Sequence, residues 1–234
     1  AQYLGARDKK SVSDAVHTSL VIAGILGIVL TIAGIVLSRQ LLEWMKTPDE
    51  VMEQAVTYFR LYSAGMFFGI VYNMAAGILN AAGNSKRSLL YLAVASFTNI
   101  VLDILFIAIL DMGVAGAAIA TDISQAVSCI LSMAFLMRVK DSYQVSLKKL
   151  KIHRRIAGSM IRVGLPTGIQ NMVISLSNVL VQTSVNGFGA AAMAGYTAYL
   201  KVDGFNILPV MSFSMAVTTF AGQNYGAGNY DRVK

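Results

Sequence analysis

The sequence has little of what a water-soluble domain of its length uses. Only 13% of its 234 residues are charged, against roughly a quarter in a typical soluble chain. That is too little charge to cover a soluble surface. Low hydrophobicity is absent as well: 56% of the residues are hydrophobic and the mean hydropathy is +0.61, which excludes an intrinsically disordered chain. The single cysteine, Cys129, excludes an internal disulfide framework and cannot by itself supply a structural zinc site. There is no Walker A motif, no nucleophile elbow and no metal-ligand cluster, so ATP-driven transport and hydrolytic chemistry have no support.

What is present is a series of long apolar runs rich in glycine, as packed membrane helices require. Six runs approach the ~20 residues needed to cross a bilayer. They are 15–38, 61–85, 88–110, 112–137, 163–186 and 191–222. Strand-like alternation is absent, so the spacing predicts helices and an all-α polytopic membrane fold. Thr47-Pro48, Gly83-Asn84, Asp111-Met112-Gly113 and Gly187-Phe188-Gly189 mark the breaks between them.

The formal charge of +7 does not indicate nucleic-acid binding, because the basic residues lie between the apolar runs rather than among aromatics in a polar domain. One set of loops holds Arg7, Lys9, Lys10, Lys86, Arg87, Arg138, Lys140, Lys148, Lys149, Lys151, Arg154, Arg155, Arg162, Arg232 and Lys234. The alternate loops hold Arg39 and Lys46. The positive-inside rule places the first set, and both chain ends, in the cytoplasm of a multi-pass plasma-membrane protein.

The two ends carry a related motif. Gln2-x-x-Gly5-Ala6 recurs as Gln223-x-x-Gly226-Ala227, each at the opening of a basic loop. A repeat spanning several helices suggests a transporter with two related halves. The expected organisation is 1–137 as the last four helices of a first lobe, 138–160 as a basic connector, and 161–234 as the first two helices of a second. The chain reads as a piece of a longer protein.

Several segments then resemble the multidrug and toxic compound extrusion (MATE) family. In the second half these are Gly164-Leu165-Pro166, Lys201-Val202-Asp203-Gly204-Phe205 and Ala221-Gly222-Gln223-Asn224-Tyr225-Gly226-Ala227-Gly228. In the first half they are Asn80-Ala81-Ala82-Gly83-Asn84-Ser85-Lys86, Asn99-Ile100-Val101-Leu102-Asp103 and Gly116-Ala117-Ala118-Ile119-Ala120-Thr121. The order and spacing of these segments carry the resemblance, which covers essentially the whole chain. It implies twelve helices in two pseudo-symmetric lobes, of which this chain would be helices three to eight. It also implies export of organic, often cationic, compounds by proton or sodium antiport with alternating access. No other cofactor is implied.

Among polar residues within the runs, Asp103 stands out, because a mid-span charge costs several kcal/mol unless paired, protonated or hydrated. Asn99 and Ser96 share its helix face. The stripe reads as a proton or sodium site, or as a carboxyl buried for packing. The resemblance implies cation coupling by Asp103, Asn99 and Thr121, with sodium possible at Asp103, together with a first-span aspartate that would precede Ala1. Asp122, Gln125 and Ser128 form another stripe, which reads equally as helix pairing. Asn171, Ser175, Asn178 and Gln182 share one face of the fifth run and read as a substrate-cavity wall or as interhelical hydrogen bonding. Lys201 and Asp203, about 200° apart on a helix, are further cavity candidates, unless Lys201 snorkels from a tilted helix. Pro209 is a candidate hinge. One branch of the family carries a glutamate eight residues after the Gly-x-Pro proline, where this chain has Ile174. This places the weight of coupling on the first half.

His17 and His153 read as surface residues, Cys129 as packing and Trp44 as an interfacial anchor. A lipid or lipid-linked saccharide flippase of related fold is the alternative function, disfavoured by the lack of several arginines within the spans. A membrane enzyme is weaker still. The intact protein is expected to bind small organic substrates within the lipid bilayer and to be monomeric. Single cysteines at Lys149 and Glu50, with Cys129 replaced, should react with impermeant maleimide from opposite sides of the membrane. Reaction of both from the same side would overturn the orientation.

Overall fold

The computed structural model describes residues 1–45, 47, 49–186, 188 and 190–233. It is helical, with no strand among those residues. Four short or irregular segments accompany six long helices. In chain order the helices are α1 (Gln2–Gly5), α2 (Lys9–Trp44), α3 (Asp49–Ala81), α4 (Ser85–Asp103), α5 (Gly113–Arg138), α6 (Arg154–Asn186) and α7 (Ala190–Gly226). α4 continues directly into a π-helical turn at Ile104–Ile109, and 3-10 turns lie at Leu147–Lys149 and Tyr230–Arg232.

Local chemistry sets the ends. Asp8 caps α2 by accepting from the Ser11 amide at 3.0 Å. The Ser11 hydroxyl and amide together hold the Asp8 carboxyl below the usual carboxylate range. α3 closes in a Schellman motif, with Asn84 N–H donating to Leu79 O at 2.8 Å and Gly83 N–H to Asn80 O at 2.9 Å. Gly83 takes the required left-handed conformation, φ +79°. Asp111 and Gly113 turn the chain between α4 and α5 with φ of +51° and +56°. Pro48, Gly187 and Gly189, expected at breaks, and the loop residues Lys46 and Lys234 lie outside the described residues.

Among the described residues five helices are long and apolar enough to cross a membrane: Lys9–Trp44, Asp49–Ala81, Ser85–Ile109 with its π turn, Gly113–Arg138 and Ala192–Gly226. The expected fifth run lies within the continuous 33-residue α6 but is not among them. Its polar face, including Gln170, Asn171, Asn178 and Gln182, dilutes the apolar stretch. The helices also outrun the charge-free stretches. At ~1.5 Å per residue, the 36 residues of α2 exceed the ~30 Å hydrocarbon thickness.

The chain divides into two compact units, Arg7–His153 and Ala1–Ala6 with Arg154–Lys234. The expected connector is therefore helix from Arg154 onward. In the first unit α3 packs against α2 and α5, and α4 packs against α5. Its pattern is inverted relative to a soluble core. Ser38, Ser63, Ser132, Ala23 and Ala75 are fully buried, whereas Val36 and Phe97 are two-thirds exposed. Small residues therefore mediate much of the helix contact beside buried Leu79 and Leu136, while many large apolar side chains face outward. Several buried hydroxyls are satisfied locally: Ser124, Ser128 and Ser132 donate to Thr121 O, Gln125 O and Ser128 O.

Between α3 and α5, two glycines make room for polar side chains. A methyl at position 65 would overlap the Asp122 carboxyl, and one at position 69 would overlap the Gln125 amide oxygen. Gly65-x-x-x-Gly69 thus forms a seat, one helical turn apart, for two polar side chains.

His17 is not the surface residue expected, whereas His153 is partly exposed. His17 is 1% exposed. Its Nε2 accepts from the Ser146 amide at 3.0 Å, which places the ring proton on Nδ1, 2.7 Å from Ser13 O. Next to it, Thr18 Oγ1 accepts from His153 N–H at 3.1 Å, and His153 Nε2 lies 3.5 Å from Asp14 Oδ1. The 139–153 segment is thereby clasped to the start of α2. The reading of His17 failed because its partner lies 129 residues away.

In the second unit α6 and α7 pack together, and α1 packs on α7. None of its described residues is buried. α6 and α7 run on through Pro166 and Pro209, so each proline removes a backbone bond without ending its helix.

Two measurements test this packing. Gly65→Ala should destabilise the intact protein in detergent by about 1–3 kcal/mol through overpacking, whereas Gly77→Ala on the same helix, which meets no atom within 4 Å, should leave the melting temperature unchanged or slightly raised. His17→Ala leaves the half-buried Ser146 amide without its partner, at a cost of about 1 kcal/mol. Amide exchange at residues 143–147 should accelerate markedly, and unchanged exchange would rule out the clasp.

Candidate functional site

Within the apolar runs of the first unit the charged side chains are Asp103 on α4 and Asp122 on α5. Asn99 and Asp103 lie four residues apart, on one face of α4. Both are half-buried, whereas Ser96, the third member of the expected stripe, is exposed. Asn99 Nδ2 and Asp103 Oδ1 are buried without a hydrogen-bond partner among the described residues. Such groups are uncommon in folded proteins, because each loses its hydration without replacement. An amide donor and a carboxylate acceptor with unused capacity can jointly take up a proton, a cation or a polar ligand.

Asp103 is also the last α-helical residue before the π turn. Leu110 N–H reaches back five residues to Leu105 O at 2.9 Å. The wider turn inserts one residue into the helical register and rotates everything beyond it relative to the Asn99–Asp103 face. π turns are rare and concentrate at functional sites. The segment Ile104-Leu105-Phe106-Ile107-Ala108-Ile109 contains no glycine or proline to announce it.

On α5, Thr121 is half-buried and donates to Ala117 O at 2.9 Å, leaving its lone pairs as the capacity it can offer. Asp122 turns to the α3 seat described above. One of its oxygens, Oδ1, is buried without a partner, as are Ser63 Oγ and Thr31 Oγ1. Gly65 and Gly69 were absent from the sequence reading, although their small-x-x-x-small spacing is a recognisable signal. Toward the α2–α3 connection, Arg60 Nε donates to Ser38 Oγ at 2.9 Å, and Arg39 pairs with Glu43 and Glu53.

In the second unit Asn171, Ser175 and Asn178 are exposed on α6, and Gln182 is half-buried. On α7 Lys201 is exposed and Asp203 half-buried, and neither joins an ion pair among the described residues. Among the described residues no group of three His, Cys, Asp or Glu side chains could hold a metal ion.

Comparison with known proteins gives this arrangement its context. A family model described as MatE matches residues 1–105 and 166–234. The chain is 33% identical over 233 residues to the probable multidrug resistance protein YpnP of Bacillus subtilis, and 26% identical over 238 residues to the probable multidrug resistance protein NorM of Thermotoga maritima. All of this chain is covered in both cases, but only 52% and 51% of those proteins, so it spans about half the length of the curated relatives it matches. Among solved structures, an outward-facing multidrug resistance MATE family transporter superposes with a TM-score of 0.91 at 30% identity, over 99% of this chain and 52% of that one. A MOP superfamily transporter from Pyrococcus furiosus, for which a reversed polarity of the binding pocket suggests a different function, superposes at 0.90 and 31% identity, again over 99% and 52%. The family match extends over most of the sequence and the fold over nearly all of it: the chain belongs to the MATE family of multidrug transporters.

Proposed function

We propose that the protein containing this chain is a secondary-active exporter of organic, often cationic, compounds, driven by inward flow of protons or sodium ions through alternating access. Its role is transport rather than catalysis, in the plasma membrane, with both ends of this segment in the cytoplasm. Asp103 is the coupling carboxylate of the first half, Asn99 shares its site, and Thr121 contributes an oxygen. The observation that carries this reading is the buried, unpartnered pair Asn99 Nδ2 and Asp103 Oδ1 on one face of α4, immediately before a π turn.

The chemistry runs as follows. A carboxylate withdrawn from water gains from taking up a proton or a cation. Uptake changes the charge at a helix junction that already departs from regular geometry. A conformational equilibrium shifts only as far as the two states differ in affinity for the ion, and the irregular turn supplies a place where they can differ. Asn171, Ser175, Asn178 and Gln182 would line the substrate path, Lys201 and Asp203 would flank it, and Pro209 would act as its hinge. The intact protein would work as a monomer, with no cofactor beyond the coupling ion.

Export of a fluorescent cationic dye from vesicles, under an imposed proton or sodium gradient, tests the assignment. Asp103→Asn should keep the melting temperature within a few degrees, because an amide reproduces most of the shape, yet lose gradient-driven export by at least tenfold. Thr121→Ala should slow it several-fold. Export by Asp103→Asn at the parental rate under both gradients would make Asp103 a structural residue.

A further inference from the structure

The motif repeated at the two ends of the sequence is also a contact. Gln2-x-x-Gly5-Ala6 and Gln223-x-x-Gly226-Ala227 form, respectively, α1 with its cap and the last turn of α7 with the residue that follows. Both lie in the same compact unit, where α1 packs on α7.

The contact is reciprocal. A methyl on Gly5 would overlap the carbonyl oxygen of Gln223, and a methyl on Gly226 would overlap the carbonyl oxygen of Gln2. Each of those carbonyls also accepts the amide four residues on: Gln2 O from Ala6 at 2.9 Å and Gln223 O from Ala227 at 3.0 Å. One lone pair closes the helix and the other faces the partner glycine, the arrangement of a Cα–H···O contact. Backbone lies on backbone in a small two-fold relation, as in an isologous interface.

The correspondence continues past the motif. Two residues beyond each glycine, at the same offset, stand Arg7 with φ +55° and Gly228 with φ +76°. Next come Asp8, which caps α2, and Asn229, which precedes the 3-10 turn. Both strands therefore leave the contact through a left-handed residue. At Arg7 this is costly for a side chain with Cβ, by ~1 kcal/mol or more. Between Ala6 and Arg7 the chain passes from one compact unit to the other.

We infer that Gly5 and Gly226, with the Gln2 and Gln223 carbonyls, form a closing joint between the two sequence halves, made in the state shut to the cytoplasm and parted in the state open to it. The meaning of the two states rests on the export reading. Three features fit this role. The joint lies where basic cytoplasmic loops begin. The fold superposes on an outward-facing relative. At its centre each glycine Cα rests on a backbone carbonyl, so that part of the contact can open and reform without repacking side chains.

Cysteine chemistry tests it in the intact protein with Cys129 replaced. A Cβ at Gly222 would lie 3.0 Å from that of Ala1, about half an ångström short of the spacing a disulfide accepts, a gap that a small shift at the chain end can open. The Ala1→Cys, Gly222→Cys pair should cross-link in vesicles under mild oxidation. The cross-link should reduce dye export at least tenfold, with recovery on reduction. Adding Gly5→Ala or Gly226→Ala should sharply lower the cross-linking yield. No cross-link in the parental background would mean that the joint is not formed. Full export by the cross-linked protein would mean that it need not open. If neither the parent nor the reduced pair exports dye, the export reading fails, and the joint is then judged by maleimide labelling of Gly222→Cys alone: labelling that responds to the imposed ion gradient supports the joint, and labelling that is constant refutes it.

Discussion

Two glycines one turn apart on α3, Gly65 and Gly69, allow α5 to bring Asp122 and Gln125 against its backbone. The arrangement of the first unit depends on this approach. In lipid, apolar burial does not drive helices together, because the surrounding chains are as apolar as leucine. Association has to come from packing and polar contact, and both need backbones close enough to matter. With α3 and α5 held at this distance, α2 meets the opposite side of α3 and α4 lies along α5. The Asn99–Asp103 face is thus carried by a helix whose neighbour is fixed, while the helix itself turns irregular one residue after Asp103.

The same constraint explains the inside-out distribution of side chains. Serine and alanine are buried because they permit contact, and their hydroxyls return to backbone carbonyls of the same helix. Bulky residues such as Val36 and Phe97 are left exposed. Against this background the unpartnered Asp103, Asn99 and Asp122 atoms stand out. Ser63 Oγ and Thr31 Oγ1 share the unpartnered state, but a carboxylate or an amide has more hydrogen-bonding capacity to offer than a hydroxyl.

The helical membrane class and the position of each long helix were legible, because charge-free runs report immersion directly. Helix ends were less so. Arg154, Arg155 and Arg162 mark where lipid stops, not where the helix stops, and α6 begins at Arg154. The Asn99–Asp103 pairing on one face followed from four-residue spacing, but the π turn had no breaker residue to signal it. The exposure of Ser96 depends on which face of α4 meets α5, which periodicity alone does not fix. His17 was misread for a different reason. A histidine's burial depends on what reaches it, and what reaches it is an amide 129 residues further along. The end-to-end motif was visible as three identities, whereas its mutual contact and the shared left-handed exit at Arg7 and Gly228 required coordinates.

The clasp between His17 and Ser146 has a consequence for how the protein is made. Synthesis proceeds from the N-terminus, so His17 and Thr18 emerge long before the segment that will satisfy them. During that interval four long helices must be inserted while the imidazole and hydroxyl find other partners. Only water at the bilayer surface offers these without cost. The polar end of α2 is therefore confined to the aqueous rim of the membrane from the outset. Arrival of residues 146–153 then displaces that water and finishes the bundle as its last piece of translated chain appears.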